Sequence, residues 1–341
     1  MNVSSMIAIH SQRDVILHFL SNDQLRLPKK EKGEAFAPTN IALCKYWGKR
    51  NVELNLPMTS SLSIALPHHG VKTTLTVSSQ PYDVVILNDT LLSPDSLFVM
   101  RLVHYLDLFR TSNTWFLNIN IEMNVPVAAG FASSAAGFAS LILALNDLFD
   151  WQLPKQALSI FARLGSGSAA RSLWTGFVEW HRGQWDHGMD SYGEPLKAVW
   201  PQLCIGLVTI SDQEKSILSR VAMQRTMETS CFYPIWPRKV LQDLAKLKEA
   251  IYSKDFSALG QTAENNALAM HAMMLTSTPP ICYWLPETID AIHRIWEVRK
   301  SGLEVYFTED AGPNLKLLFL DENINKICKI FDTLNIITVF N

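Results

Sequence analysis

Between Met123 and Asn146 the chain carries no charged residue. A stretch that long either crosses a bilayer, which takes about 20 apolar residues, or is buried inside a folded domain. Its composition decides between the two. Pro126, Gly130, Ser133, Ser134 and Gly137 crowd the first half, and only Phe138 to Leu145 is a solidly apolar helical run, too short to span. Upstream, Leu117, Ile119 and Ile121 alternate as they do on a half-buried strand. The expected unit is therefore a strand, a small-residue loop and a buried helix. A core to receive it is available: 48% of the 341 residues are hydrophobic and only 18% charged, which excludes a disordered chain.

A chain of this length exceeds one ordinary core, so two domains are expected. Residues 1–32 read as an N-terminal extension, a helix-like stretch from Ile7 to Leu20 followed by a charged link, and a chain starting near Lys32 is expected to fold without it. In 33–200, short β-like runs (Ile41–Cys44, Leu62–Ala65, Lys72–Val77, Val84–Leu87, Phe116–Ile121, Phe177–Trp180) mix with helices at Asp95–Arg110, Ser134–Leu148 and Pro154–Leu164. The pattern restarts after Trp200-Pro201 with the apolar run Leu203–Ile210. From there 201–341 reads β-α-α-α-β-β-α-β, its first helix starting at Pro237, and a ferredoxin-like layer is the natural arrangement. The class is α+β.

Thirty Lys and Arg against thirty-two Asp and Glu leave a net charge of −2, so nothing pulls the chain toward nucleic acid or anionic lipid, and any anionic ligand needs a local site. The five cysteines are scattered without a Cys-x-x-Cys pair, no histidine pair has metal-ligand spacing, and the N-terminus lacks a basic signal region. A reduced, cytoplasmic protein without a bound metal site is expected.

Four segments could carry chemistry. Pro126 to Ala135 brings backbone N–H groups and the Ser133 and Ser134 hydroxyls to a helix N-terminus, a place suited to phosphate, although a helix packed closely on a sheet would use the same small residues. Gly165-Ser166-Gly167-Ser168-Ala169-Ala170-Arg171 is a second such loop, and its arginine can grip a carboxylate or phosphate with two parallel bonds. Lys45-Tyr46-Trp47-Gly48-Lys49-Arg50 sets three cations among two aromatics after an apolar strand. Asp310 stands in the turn Asp310-Ala311-Gly312-Pro313-Asn314, where a role in stabilising its own turn is the simpler reading; Glu309 beside it is expected to face solvent, and His271 to be a partly buried helix residue. Ser219-Arg220 is a weaker candidate.

Ala37 to Arg50, Pro126 to Ala136, Ser166 to Ser172 and Asp310 to Asn314 resemble, in order and spacing, the signature segments of the mevalonate diphosphate decarboxylase family of the GHMP kinase superfamily. Ser219-Arg220, followed by Met223 and Met227 to Ser230, resembles its bacterial branch. The resemblance covers about Ala35 to Leu320 and leaves 1–32 without a counterpart. It departs at Thr59, where the family usually has Asn, and at Phe131 and Ala170, which replace the commoner Leu and Cys.

The resemblance implies a GHMP kinase fold, with an N-terminal nucleotide-binding domain and a C-terminal ferredoxin-like sandwich. It also implies ATP-dependent decarboxylation of mevalonate 5-diphosphate with ATP and Mg2+ as cofactors. Carried over by position, Gly130, Phe131, Ala132, Ser133, Ser134 and Ala135 cradle ATP. Tyr46, Trp47, Gly48, Lys49, Ser166, Gly167, Ser168, Ala169, Ala170, Ser219 and Arg220 hold the substrate. Arg171 grips its carboxylate, Lys45 organises that region, and Asp310 orients or deprotonates the 3-hydroxyl. No protein ligand to magnesium is implied, and a homodimer is left open. The alternatives are a kinase of the same fold acting on mevalonate or a mevalonate phosphate, and a non-catalytic ligand-binding relative.

Overall fold

The computed structural model describes residues 9–111, 115–125, 133–213, 215–331 and 335–340. The first part runs α1 (Gln12–Phe19), α2 (Asn22–Arg26), β1 (Lys32–Cys44), β2 (Lys49–Asn51), β3 (Leu56–Pro57), β4 (Ser61–Val77), β5 (Val84–Leu87), β6 (Thr90–Leu91), α3 (Leu97–Asp107), β7 (Leu117–Met123), α4 (Ser133–Leu148), α5 (Lys155–Gly165), β8 (Gly176–Trp180) and β9 (Gly193–Pro195). Seven of these strands form one sheet, ordered β6-β5-β7-β4-β8-β9 with β1 also paired to β4, while β2 and β3 form a separate ribbon. The two runs expected at 62–65 and 72–77 are one long strand. Its pairing with β1 slips between Pro38 and Asn40, opposite Gly70 and Ala65, so the histidine-glycine stretch is a bend within the strand. Gly70 is required there, because a β-carbon would sit 2.1 Å from the Ala37 carbonyl oxygen.

The second part runs β10 (Leu203–Val208), α6 (Ser219–Thr229), α7 (Trp236–Ser253), α8 (Phe256–Leu275), α9 (Pro286–Lys300), β11 (Tyr306–Glu309), β12 (Leu315–Leu320), α10 (Ile324–Ile330) and β13 (Asn335–Thr338). Its antiparallel sheet is ordered β11-β12-β10-β13, the strand order of a ferredoxin-like layer. Four described helices, rather than the expected three, lie between β10 and β11: α6 precedes the helix expected at Pro237, and Ser219 and Arg220 open it. One hydrophobic cluster joins both parts, with Leu43, Leu62 and Ile64 of the first sheet packed into the same core as Trp236, Leu247 and Leu259 of α7 and α8.

The N-terminal segment is no appendage. From Ile9 onward it is built into the first core: Ser11 and Ser21 open α1 and α2 with capping boxes completed by Asp14 and Gln24, and Val15, Ile16, Leu20 and Leu25 are buried. Trp115 Nε1 donates to the Leu25 carbonyl (3.1 Å) and Trp151 Nε1 to that of Gln24 (2.9 Å). Local polarity misled the sequence reading, because each of these helices is too short to show a periodic apolar face.

Burying an aliphatic side chain contributes about 1.5–3 kcal/mol, and four of them together rival the roughly 5–15 kcal/mol net stability of a native protein. A chain starting at Lys32 is therefore expected to give little soluble protein and a sharply lowered urea midpoint. An unchanged midpoint would mean that α1 and α2 rest on the core without holding it.

Candidate active site

Segments far apart in sequence meet where the two sheets join. The end of β1 with 45–49, the 3-10 turn Gly167–Arg171 after α5, the start of α6 and the turn after β11 all contribute to one cavity of about 590 Å³. Its described lining carries Lys45, Lys49, Arg101, Arg171, Lys215, Arg220 and Lys316 against only Asp212 and Asp310. A protein with net charge −2 thus concentrates positive charge in one cleft, which is suited to an anionic ligand.

Lys45, 2% exposed, donates from Nζ to the Ala42 carbonyl (2.8 Å) and to Asp310 Oδ1 (2.9 Å), while Lys316 Nζ stands 3.6 Å from Asp310 Oδ2. Burial alone would raise the Asp310 carboxyl, but Lys45, Lys316 and Lys215 outweigh it and hold the group well below the usual carboxylate range. The turn is tied down by other groups. Asn314 Oδ1 accepts from the Ile210 and Ser211 amides (2.7 and 2.9 Å), and Thr288 Oγ1 donates to the Pro313 carbonyl (3.1 Å). The carboxylate is thereby left to the lysines and the cavity.

Arg171 is buried and held by neutral acceptors: Nε donates to Ser63 Oγ (3.0 Å), Nη1 to Ser61 Oγ, and Nη2 to Asn40 Oδ1 (3.3 Å). Desolvation pushes its pKa down to about 10, and the guanidinium keeps a full charge at neutral pH. Asn40 is itself fixed by donating to Ser172 Oγ (2.7 Å).

Tyr46, Trp47 and Lys49 reach the cavity. Gly48, at φ 118°, lies under Tyr233 so closely that a β-carbon would overlap the hydroxyl, and it shapes the loop without lining the cleft. Burial first, then Arg220 and Arg101, push the Lys49 ammonium down to about 8. Ser166, Gly167, Ser168, Ser219 and Arg220 line the cavity, whereas Ala169 and Ala170 are fully buried outside the lining and serve the turn's packing. Of the expected ATP cradle, Ser134 lines the cavity and Ala135 is buried; Gly130, Phe131, Ala132 and the Ser133 side chain lie outside the described residues. Thr59 is buried and does not line the cleft.

Several site residues escaped the sequence reading. Arg101 comes from α3, an ordinary amphipathic helix with no motif around it. Lys316 was visible as the single charge inside the apolar strand Leu315–Leu320, and Ser61 and Ser63 as hydroxyls two residues apart on one strand face. Glu309, expected in solvent, is fully buried because it points to the far side of β11 from the cavity-facing Lys316 row, where Trp284 Nε1 donates to it.

The chain matches two family models, the Diphosphomevalonate decarboxylase-like N-terminal domain over 37–193 and the Mevalonate 5-diphosphate decarboxylase C-terminal domain over 205–338. The diphosphomevalonate decarboxylase of Saccharomyces cerevisiae is 35% identical over 311 residues, 85% of this chain and 78% of that protein. The crystal structure of mevalonate diphosphate decarboxylase from Staphylococcus aureus superposes at TM-score 0.84 with 37% identity, covering 91% of this chain and 96% of that one. MDDEF, solved in complex with MVAPP, AMPPCP and magnesium, gives TM-score 0.84 and 40% identity, covering 89% and 95%.

The cation cluster around Lys49 makes a prediction independent of any reaction. Below pH 8 Lys49 is protonated and adds to the anion site; above it the charge is lost. Relative to Lys49→Arg, whose guanidinium stays charged, the chain is expected to lose affinity for inorganic pyrophosphate as pH rises through about 8, measured by calorimetric titration from pH 6.5 to about 9.5. Parallel profiles for the two proteins would remove Lys49 from the anion site.

Proposed function

The chain belongs to the diphosphomevalonate decarboxylase family, and we propose from the cavity's geometry how its residues divide the work. It is an ATP-dependent enzyme that converts mevalonate 5-diphosphate to isopentenyl diphosphate, carbon dioxide, ADP and phosphate. The single observation that carries our assignment is that Lys45 and Lys316 hold the Asp310 carboxylate in the same cavity as the guanidinium of Arg171, which pairs with no carboxylate among the described residues.

In this reading Arg171 receives the substrate carboxylate, with its fork preset by Asn40, Ser61 and Ser63. Lys49, Ser168 and Arg220, with Arg101 beside them, take the 5-diphosphate. Tyr46, Trp47, Ser166, Gly167 and Ser219 close around the substrate, and the residues from Gly130 to Ala135 receive ATP. The cation-rich lining fits a nucleotide triphosphate, and Mg2+, which favours phosphate oxygens and water, would be held chiefly by the phosphates and would supply charge neutralisation during the transfer.

Asp310 accepts the hydrogen bond of the 3-hydroxyl and aims its oxygen at ATP. A carboxylate held so far below its ordinary range is a weak base, which favours orientation over early deprotonation. The γ-phosphoryl group passes from ATP to the 3-hydroxyl oxygen, ADP leaving and the hydroxyl proton going to solvent as the transfer completes. When the resulting 3-phosphate departs, the C1–C2 electron pair forms the C2=C3 double bond, and the Asp310 charge stabilises positive character at C3. Arg171 keeps the departing carboxylate in line until the bond breaks.

We take 201–341 as the second domain and 33–200, together with the N-terminal helices packed into its core from Ile9 onward, as the first, supported by the matched segments 37–193 and 205–338. Among the described residues no helix is long and apolar enough to cross a membrane. We place the enzyme in the cytoplasm, in keeping with its five free cysteines, and propose a homodimer, which sedimentation checks.

Carbon dioxide release in the presence of ATP, compared across mevalonate, its 3- and 5-phosphates and the 5-diphosphate, is expected to be fastest by far with the diphosphate. ADP formation without carbon dioxide would make the chain a kinase. Asp310→Asn should keep the fold and ATP affinity and lose about 10²–10⁴-fold in kcat. Arg171→Lys, which cannot engage Asn40, Ser61 and Ser63 together, should lose tenfold or more in kcat/KM, on the order of 1.4 kcal/mol; near-normal turnover would show that a point charge suffices.

A further inference from the structure

Behind the Asp310 turn lies a polar cluster that the reaction leaves unused. Glu309 is fully buried, and Trp284 Nε1 donates to both of its oxygens at 3.1 and 2.9 Å. The Trp284 indole stacks on the His271 ring, with centroids 5.1 Å apart and planes within 9°. His271, in α8 and 2% exposed, places Nε2 3.1 Å from the main-chain carbonyl oxygen of Asp310 and 3.5 Å from Glu309 Oε1. A carbonyl only accepts, so Nε2 carries the hydrogen. The ring is neutral, since burial pushes its pKa down to about 3.

We propose that Trp284, Glu309 and His271 form a clamp that positions Asp310 by its peptide carbonyl, from the side opposite the cavity. This rests on reading Asp310 as the group that meets the 3-hydroxyl. The carboxylate is fixed by Lys45 and Lys316 and the peptide by His271, so both ends of the residue are defined. Packing alone would be served by an apolar side chain at 309. A carboxyl there, satisfied by an indole that in turn orients an imidazole, makes sense when the imidazole has a task, and its N–H ends on Asp310.

The clamp also has a release. Glu309 Oε1 competes with the Asp310 carbonyl for the same N–H. Burial raises the Glu309 carboxyl to about 8, against the Trp284 bond and the charges of Lys45 and Lys316, with Asp310 adding to the rise; His271, which also faces it, is neutral. Below that pH the neutral acid is the weaker acceptor and His271 stays on Asp310. Above it the carboxylate draws the N–H away.

The test uses the full chain, with kcat at saturating substrates counted per ATP-binding site. His271→Phe keeps the stacked ring and removes the donor; at least a tenfold loss of kcat is expected. Glu309→Gln still accepts from Trp284 but cannot ionise, so the fall in kcat above pH 8 expected of the unmodified chain should be absent. It should also change stability with a definite sign. Between the ordinary glutamate value and about 8 the folded chain keeps a proton that the unfolded chain has released, so stability falls as pH rises through that window. The Tm advantage of Glu309→Gln over the unmodified chain should therefore grow from pH 5 to pH 8. A His271→Phe enzyme within twofold of normal, or superposable kcat profiles for Glu309→Gln and the unmodified chain, would overturn the clamp. Asp310→Asn assayed alongside separates the two failures: normal turnover there removes the reading of Asp310 itself, whereas its loss beside a normal His271→Phe removes only the clamp.

Discussion

The ion pair between Lys45 and Asp310 joins the two halves of the molecule in the wall of the cation-lined cavity. Lys45 follows the last residue of β1 in the first sheet, and Asp310 follows the last residue of β11 in the second. Taking an ammonium out of water costs several kcal/mol, recovered only with close partners. Here the partners are the Ala42 carbonyl and the Asp310 carboxylate. The pair makes sense only in this packing of the two sheets, so the apolar cluster shared by Leu43, Leu62, Trp236 and Leu247 is what holds the two charges together. Asn266 reinforces the same seam, accepting from the Lys45 amide at 2.8 Å and donating to Asp243 at 2.7 Å.

Around that pair the cavity carries more positive charge than it neutralises. Lys49, Arg101 and Arg220 share one wall of it: burial first, then neighbouring cations, hold Lys49 and Arg101 below their ordinary values, Arg220 acting on both and Arg101 on Lys49. Such repulsion is unfavourable in the empty protein and is relieved by a polyanion. Substrate and ATP bring a carboxylate and five phosphates, and phosphoryl transfer asks the protein mainly for position and electrostatic stabilisation. A surplus of cations on rigid elements is the form that requirement takes.

Sequence legibility followed the range over which each signal acts. The loop at Ser166–Arg171 and the turn at Asp310–Asn314 are local motifs readable from neighbouring residues, and both contribute to the lining of the one cavity. Asp310 alone could not be separated from a turn-stabilising aspartate, because the lysine that answers the question is 265 positions away. Arg101 left no trace, since its helix serves the core on one side and the cavity with a single side chain. The N-terminal helices failed differently: Ser11 with Asp14 and Ser21 with Gln24 are readable capping boxes, but their short apolar faces acquire meaning only in the first core, where Phe19 at the end of α1 meets Phe161 and Trp115 and Trp151 bond to α2 carbonyls.

Asp310 is the point where stability and chemistry pull in different directions. If the carboxylate were to act chiefly as a base, proximity to Lys45 and Lys316 would be counterproductive, since each cation lowers its proton affinity. For a hydrogen-bond acceptor that must hold one geometry, and later face positive charge at C3, the same cations are an asset, because they keep it ionised and immobile. The surrounding structure is built for the second role: Asn314 and Thr288 fix the turn, and the peptide carbonyl of Asp310 is engaged by His271. A residue held at its backbone, its turn and its carboxylate moves little, and in the mechanism we propose what it contributes is direction.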